Sequence, residues 1–279
     1  MSSSQEIGIV GAGALARALG PALASAGRRV VYWSRRPEAA RELGPVVAEL
    51  AELASLDVVL LAVSESAIEE VASALAAGAE GESAVALHLA GGLGLEPLAP
   101  LRRAGWSVGR LHPLLPFPPD VEAGAVAEGG WYSTLGDERA LVAAREIVAQ
   151  LGGHELSLES GDRAEARYHG AAVLAAGGVV ALLDLALEAM GDVANPDDAR
   201  SALVALARAS LDALEGGDAV SALTGPVARG EEEVVSRHLE ALPPGPASVY
   251  HLLAVRMLQL ARARGLEEAR VEAILRRLR

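Results

Sequence analysis

The chain has 279 residues, with 24 basic against 37 acidic side chains and a formal net charge of -13. That acidic balance speaks against a nucleic-acid partner, which a basic stripe or patch would serve. A hydrophobic content of 51% with only 3% aromatics describes a packed core of Ala, Val and Leu rather than a disordered chain. Every basic residue is arginine and no cysteine occurs. Disulfides, thiolate nucleophiles, thiolate metal sites, Schiff-base lysines and Gly-Lys-Ser phosphate loops are therefore excluded.

In chain order, short apolar runs alternate with helical patterns, the mark of a parallel sheet covered by helices. Residues 6–10 read as a strand, 14–26 as a helix stopped by Gly27, 28–33 as a second strand and 37–43 as a short helix. The continuous apolar run 56–63 reads as a strand buried on both faces. A helix over 64–77, a strand over 84–89, a helix over 95–104 and a strand over 107–111 follow. Four prolines in 113–119 dictate an irregular loop. A helix over 137–151 and a last strand over 154–158 complete the first half. From Gly161 only helical patterns remain, over 162–190, 196–214, 231–242, 247–264 and 266–278. Asn195 before Pro196 is a good helix start, and Gly191 and Gly265 sit where helix ends favour positive φ. The fold expected is α/β: a Rossmann-type doubly wound, mainly parallel sheet in residues 1–158, followed by an all-α domain in 159–279. The longest uncharged apolar run, 170–183, falls short of the roughly 20 residues a membrane span needs, so no membrane partner is expected and the protein reads as cytoplasmic.

Gly11-Ala12-Gly13-Ala14-Leu15-Ala16 fits the dinucleotide fingerprint Gly-x-Gly-x-x-Gly/Ala between a strand and a helix. The first glycine makes the tight turn and the second lets backbone approach a pyrophosphate. The small third residue lets helix pack on strand, and the helix N-terminus favours phosphate charge. Where NAD sites place Asp or Glu for the ribose hydroxyls, this chain has Ser34-Arg35-Arg36, a hydroxyl and two guanidiniums suited to the 2′-phosphate of NADP. Ala62-Val63-Ser64 ends the next strand at the same sheet edge, where Ser64 lines the cofactor or serves as a helix N-cap.

Among six histidines, His88 and His112 lie at or just past strand ends, and His169 lies early in the first helix of the second half. All three are candidates to approach a nicotinamide pocket, with His112 and His169 as proton partners and His88 as a substrate contact. A three-histidine metal site is the alternative, weakened by the absence of a nearby acid to orient the rings, and no metal is expected. In Leu223-Thr224-Gly225-Pro226-Val227-Ala228-Arg229-Gly230, two glycines bracket one arginine. Thr224, Gly225 and Pro226 supply a turn with exposed amides and Arg229 an anion clamp, or the segment is a plain connection between helices.

Gly11-Ala12-Gly13, Ser34-Arg35-Arg36, Leu111-His112-Pro113-Leu114, Tyr168-His169-Gly170-Ala171-Ala172 and the 223–230 motif, in that order, resemble a group of bacterial Rossmann-like proteins whose helical C-terminal half is a domain of unknown function. The group is similar to the superfamily of ketopantoate reductase, pyrroline-5-carboxylate reductase, prephenate dehydrogenase and the β-hydroxyacid dehydrogenases. The resemblance spans nearly the whole chain and implies an NADP-binding domain followed by a helical domain that often forms a homodimer. The chain departs from the group at Leu174-Ala175-Ala176-Gly177-Gly178, where an asparagine is usual, and at Glu231, where aspartate is usual. It also lacks the lysine that ketopantoate reductases and β-hydroxyacid dehydrogenases use. The expected function is hydride transfer to or from a small, anionic keto, imino or hydroxy acid, with a non-catalytic NADP-binding sensor or scaffold as the alternative. A deazaflavin redox partner is permitted by the fold without being selected by any residue. The apolar segment 168–190 is expected at a homodimer interface, since a small helical domain cannot easily cover it alone.

Overall fold

A computed structural model describes residues 6–78, 84–158 and 163–278. The first elements are β1 (Glu6–Val10), α1 (Ala14–Ser25), β2 (Arg29–Trp33), α2 (Pro37–Arg41), β3 (Val58–Leu61), α3 (Ile68–Ala77), β4 (Val85–His88) and α4 (Ala99–Arg103). They are followed by β5 (Ser107–Pro113), β6 (Trp131–Gly136), α5 (Glu138–Gln150) and β7 (His154–Ser157). Seven strands form one sheet in the order β2-β1-β3-β4-β5-β6-β7. The first five pair in parallel, β6 runs antiparallel to β5, and β7 is parallel to β6. The order reverses between β1 and β3, so the crevice outside their carboxyl ends is the topological switch point where ligands bind in open α/β sheets.

The continuous apolar runs become strands because both faces are covered. Val58 to Leu61 are buried at every position, and alternate residues join different cores. Ile9, Leu60, Leu87 and Leu111 pack on one face with Leu19 and Leu23 of α1, while Val59, Leu61, Ala86 and Val108 pack on the other with Ile68 and Leu75 of α3. Each such side chain contributes about 1.5–3 kcal/mol by leaving water.

The sequence reading misses β6. Its aromatic and β-branched positions, Trp131, Tyr132 and Thr134, favour a strand once β5 is present to pair with, but Ser133 and the flanking glycines resemble a loop. β5 also continues through His112 to Pro113, because the antiparallel partner extends its ladder to Tyr132. The helix expected over 95–104 opens as a 3₁₀ turn, Glu96–Leu98, before α4.

The helical remainder comprises α6 (Ala164–Ala175), α7 (Gly177–Met190), α8 (Pro196–Glu215), α9 (Ala219–Ala222), α10 (Pro226–Arg229), α11 (Glu232–Ala241), α12 (Pro244–Ala263) and α13 (Glu268–Arg277). The single helix expected over 162–190 is broken at Ala176, whose φ of -105° and ψ of -80° leave the helical region just before Gly177-Gly178. Contacts divide the chain into two compact units, Met1–Val173 and Leu174–Arg279. The boundary expected at 158/159 adjoins residues 159–162, which lie outside the described residues. In the second unit Val235, Ala254, Leu258, Val271 and Ile274 form a small core. The stretch Ala164–Met190 has a mean hydropathy of 2.1 and is long and apolar enough to cross a membrane by length and composition, yet α6 and α7 bury no residue.

Candidate nucleotide cleft and active site

At the switch point, Gly11 takes φ +123°, and a Cβ there would stand 2.3 Å from the Ala62 carbonyl oxygen. Only glycine fits that crossing of chains. Its amide donates to the Trp33 carbonyl at 2.8 Å, tying the turn to β2. Gly13 differs: a Cβ there would meet nothing within 4 Å, so its missing side chain leaves open space. Gly13 is also the N-cap of α1, with no side chain capping the helix and no acid in its first turn. The first amides of α1 are thus unclaimed by side chains, and the positive end of the helix dipole lies beside that space.

A cleft of about 480 Å³ opens here. Gly11, Ala12, Gly13, Ser34, Arg35, Arg36, Ala62, Val63 and Ser64 line it, whereas Ala14 and Leu15 of α1 do not. Ser34 Oγ accepts the Arg36 amide at 3.1 Å, so the serine shapes the turn that presents both arginines. Arg35 and Arg36 are exposed, and among the described residues neither guanidinium is ion-paired. Ser64 precedes a 3₁₀ turn without capping it by its side chain. Leu50, Val71 and Ala74 add an apolar wall that the motif alone does not reveal.

Further along the same edge, pairing places His88 beside Leu61, Arg110 beside His88, and Ser133 beside His112. His88 is fully buried, and both ring nitrogens are committed to backbone. Nδ1 accepts the Ala90 amide at 3.3 Å, leaving Nε2–H to donate to the Gly94 carbonyl at 2.9 Å. Burial holds its pKa down to about 4. His88 therefore fixes the 88–94 loop and has no nitrogen left for a substrate. Glu65 Oε1 accepts the Gly92 amide at 3.4 Å, joining this loop to the turn after Ser64.

His112 stands at the end of β5 with Nδ1 2.6 Å from the Tyr168 hydroxyl. The ring of His169, from the second turn of α6, lies edge-on to it at 5.9 Å between centroids. Gly91 lies beneath both: a Cβ there would come within 2.7 Å of His112 Nε2 and 2.6 Å of His169 Nδ1. His169 Nδ1 is buried and has no hydrogen-bond partner. Burial first, then electrostatic interaction with His169, Arg110 and His88, pushes the His112 pKa down to about 4. The ring is neutral at neutral pH, able to donate from one nitrogen and accept at the other.

Arg110 is missing from the sequence reading, in which an arginine on a strand passes for a solvated one. It is fully buried. Nη1 donates to the Leu93 carbonyl at 3.2 Å and Nη2 to Ser133 Oγ at 3.1 Å, its Cζ sits 5.4 Å from the Tyr168 ring centroid, and among the described residues no carboxylate forms an ion pair with it. Burial raises the Tyr168 pKa, opposed by Ser133 and Arg110.

Residues 6–86 match the family described as NADP oxidoreductase coenzyme F420-dependent, and residues 132–257 match a domain of unknown function, DUF2520. The chain joins an NADP-binding Rossmann-like domain to a DUF2520 domain. No curated protein matches the sequence. Among solved structures, protein BF3122 from Bacteroides fragilis is similar with a TM-score of 0.72 at 23% identity, over 92% of this chain and 98% of that one. An imine reductase from Pseudomonas sp. gives 0.62 at 18%, over 99% and 100%. A Plasmodium falciparum pyrroline carboxylate reductase with NADP bound gives 0.59 at 15%, over 97% of each chain. At these identities the likeness establishes the fold.

Ser133, Tyr168 and His169 fall inside the DUF2520 match, whereas Arg110 and His112 fall between the two matched ranges. The turn at 223–230 is occupied structurally. Arg264 donates to the Leu223 and Ala228 carbonyls at 2.7 and 3.3 Å, and Arg270 donates to the Arg229 carbonyl at 3.0 Å. Gly225 and Gly230 take φ of +96° and +71°. Arg229 is bidentate to Glu231 at 2.7 and 3.1 Å, so the expected anion clamp already holds a carboxylate, and Thr224, Gly225 and Pro226 serve as the entry to α10.

Proposed function

We propose that this protein is an NADP-dependent oxidoreductase that transfers a hydride between the nicotinamide and a small anionic keto, imino or hydroxy acid, with His112 as the proton partner. The observation that carries this reading is that the carboxyl ends of the parallel strands of one sheet hold both a phosphate-ready glycine turn and a neutral imidazole, His112, whose Nδ1 meets the Tyr168 hydroxyl. NADP is favoured over NAD because two guanidiniums without ion-pair partners flank Ser34 where a carboxylate would repel a 2′-phosphate. An anionic substrate is favoured because Arg110, His112 and His169 gather at the edge with no ion-paired carboxylate among the described residues.

When bound, the nicotinamide supplies the hydride. Gly11 and Gly13 admit the pyrophosphate, the first amides of α1 bind it, and Arg35 and Arg36 hold the ribose phosphate. His112 hydrogen-bonds the substrate oxygen or nitrogen where negative charge develops, a role typically contributing 10²–10⁴-fold in rate. His169 Nδ1 offers a second contact to the same group. The protein is further proposed to act as a cytoplasmic homodimer, with α6 and α7 covered by the second copy, because Leu174, Val180 and Val193 stay 69–79% exposed in the single chain.

The test is NADPH oxidation, followed by nucleotide absorbance, with a panel of small keto acids and cyclic imines and with coenzyme F420, which the matched family is named for. Turnover of an acid or imine supports the proposal. Nucleotide binding without any turnover overturns it in favour of a sensor or scaffold, and turnover of F420 alone reassigns the hydride partner.

A further inference from the structure

We propose that Arg110 is a positioning residue that acts through Ser133 and Tyr168 to fix His112 in the tautomer carrying its proton on Nε2. The inference rests on the reading of His112 as the proton partner, and deepens it by saying which nitrogen meets the substrate.

The direction of the hydrogen bonds follows from the chemistry of the four groups. A guanidinium has five N–H donors and no acceptor. Arg110 Nη2 therefore donates to Ser133 Oγ, at 3.1 Å, and the serine must turn its own proton elsewhere. Arg110 brings the serine and Tyr168 together, holding Ser133 Oγ while its Cζ stands 5.4 Å from the Tyr168 ring, and the serine hydroxyl, which favours the phenolate form, is directed at the phenol oxygen. Tyr168 then directs its hydroxyl proton to His112 Nδ1.

The contact itself agrees. At 2.6 Å it is shorter than the 2.7–3.2 Å range of N–H···O bonds and suits an O–H donor. A phenol, with a pKa near 10, is also a much stronger donor than a neutral imidazole N–H, and the unprotonated imidazole nitrogen is the better acceptor. With Nδ1 occupied as acceptor, the ring proton resides on Nε2, the nitrogen that packs on Gly91, where no room remains for a side chain.

The buried cation thereby acquires a use. Full burial of a guanidinium with no ion-paired carboxylate among the described residues is costly, and the same residue sets the polarity of the chain Arg110, Ser133, Tyr168, His112. Deprotonation cannot reverse it, because an arginine stays charged at any working pH. An imidazole held this way presents a donor to an oxygen or nitrogen that gains negative charge, which is the sense required for reducing a carbonyl or imine.

The experiment is nitrogen NMR of protein carrying ¹⁵N-labelled histidine at neutral pH, without nucleotide or substrate, with His112 assigned by its loss in His112→Gln. His112 is expected as one tautomer, protonated on Nε2, with Nδ1 shifted as an acceptor. Tyr168→Phe and Ser133→Ala should each move both ring nitrogens toward the values of a mixture of tautomers, and Ser133→Thr, which keeps the hydroxyl, should restore the original pair. A ring protonated on Nδ1 in the parent protein overturns the proposal, as does a Ser133→Ala spectrum identical to the parent. A merely structural serine would leave the tautomer untouched in either variant. Because no catalysis enters the readout, the proposed oxidoreductase function and this inference fail or stand separately.

Discussion

The strands at the centre of the sheet and the helices that follow it treat the same kind of residue in opposite ways. Val58 to Leu61 and Val85 to His88 are buried at every position, whereas α7, apolar over most of Gly177–Met190, buries none of its residues. Leu174 remains 75% exposed and Val180 69%. A parallel strand finds both its covers within its own unit, from α1 and α5 on one face and α3 and α4 on the other. A helix apolar on all sides has no such cover here, and exposed apolar surface of this extent marks a place for another molecule. The difference teaches that the residues lining the cleft all come from the sheet unit, while the helical stretch leaves apolar side chains at the surface.

That contrast can be broken most severely at Gly11. Gly11→Ala places a methyl against the Ala62 carbonyl at a backbone angle that costs about 1–3 kcal/mol for non-glycine residues, so it should lower Tm and abolish nucleotide binding together. Gly13→Ala should separate the two effects, retaining Tm while losing nucleotide affinity in calorimetric titration, because its methyl meets no protein atom. Equal loss of Tm in both variants would refute the distinction between a structural and a ligand-facing glycine.

On the helical side, Leu174→Asp combined with Val180→Asp should dissociate the dimer, since each buried side chain of this size contributes about 1.5–3 kcal/mol. Light scattering should show a dimer for the parent and a monomer for the variant, with nucleotide affinity unchanged. A parent that is monomeric at micromolar concentration would remove the proposed cover.

The pH dependence of stability probes the buried edge. His88 has a folded pKa of about 4 against 6.5 when unfolded. Between those values the unfolded chain binds more protons, so stability should fall as pH drops from 6.5 toward 4 and stay flat above 6.5. The shift corresponds to roughly 3 kcal/mol for this residue. Chemical denaturation at intervals across the window should show a shallower slope in His88→Gln, and an unchanged slope would contradict burial as the cause. The smallest effect is expected at the cofactor's far end. Arg35→Ala and Arg36→Ala should each cost NADPH about 1.5–3 kcal/mol of affinity and leave NADH nearly unaffected, as titration of both nucleotides would reveal.

Much of the first unit was legible because its signals are local. Gly11, Gly13 and Ser34-Arg35-Arg36 announce their roles by spacing along one strand-turn-helix unit, and they line one cleft. The edge cluster was legible only in part. His112 and His169 stood out as histidines near element ends, but Arg110 and Ser133 join them through the β5–β6 pairing, which sequence periodicity did not reveal, and Tyr168 joins from α6 through its hydroxyl on His112 Nδ1. Arg229 shows the opposite failure. A guanidinium between glycines looks free until Glu231, two residues on, is found holding it. Short-range ion pairing of that kind depends on the positive φ of Gly230, which the sequence permits without requiring.

The most direct test of the central claim is turnover and NADPH affinity measured together for His112→Ala, with His169→Ala alongside, using any substrate the parent protein reduces. His112→Ala should lower kcat by 10²–10⁴-fold, the usual contribution of a positioned proton partner, and leave the NADPH dissociation constant unchanged, because the nucleotide cleft is built from other residues. If His112→Ala keeps both turnover and affinity, the histidine is structural and the proposed active site is wrong.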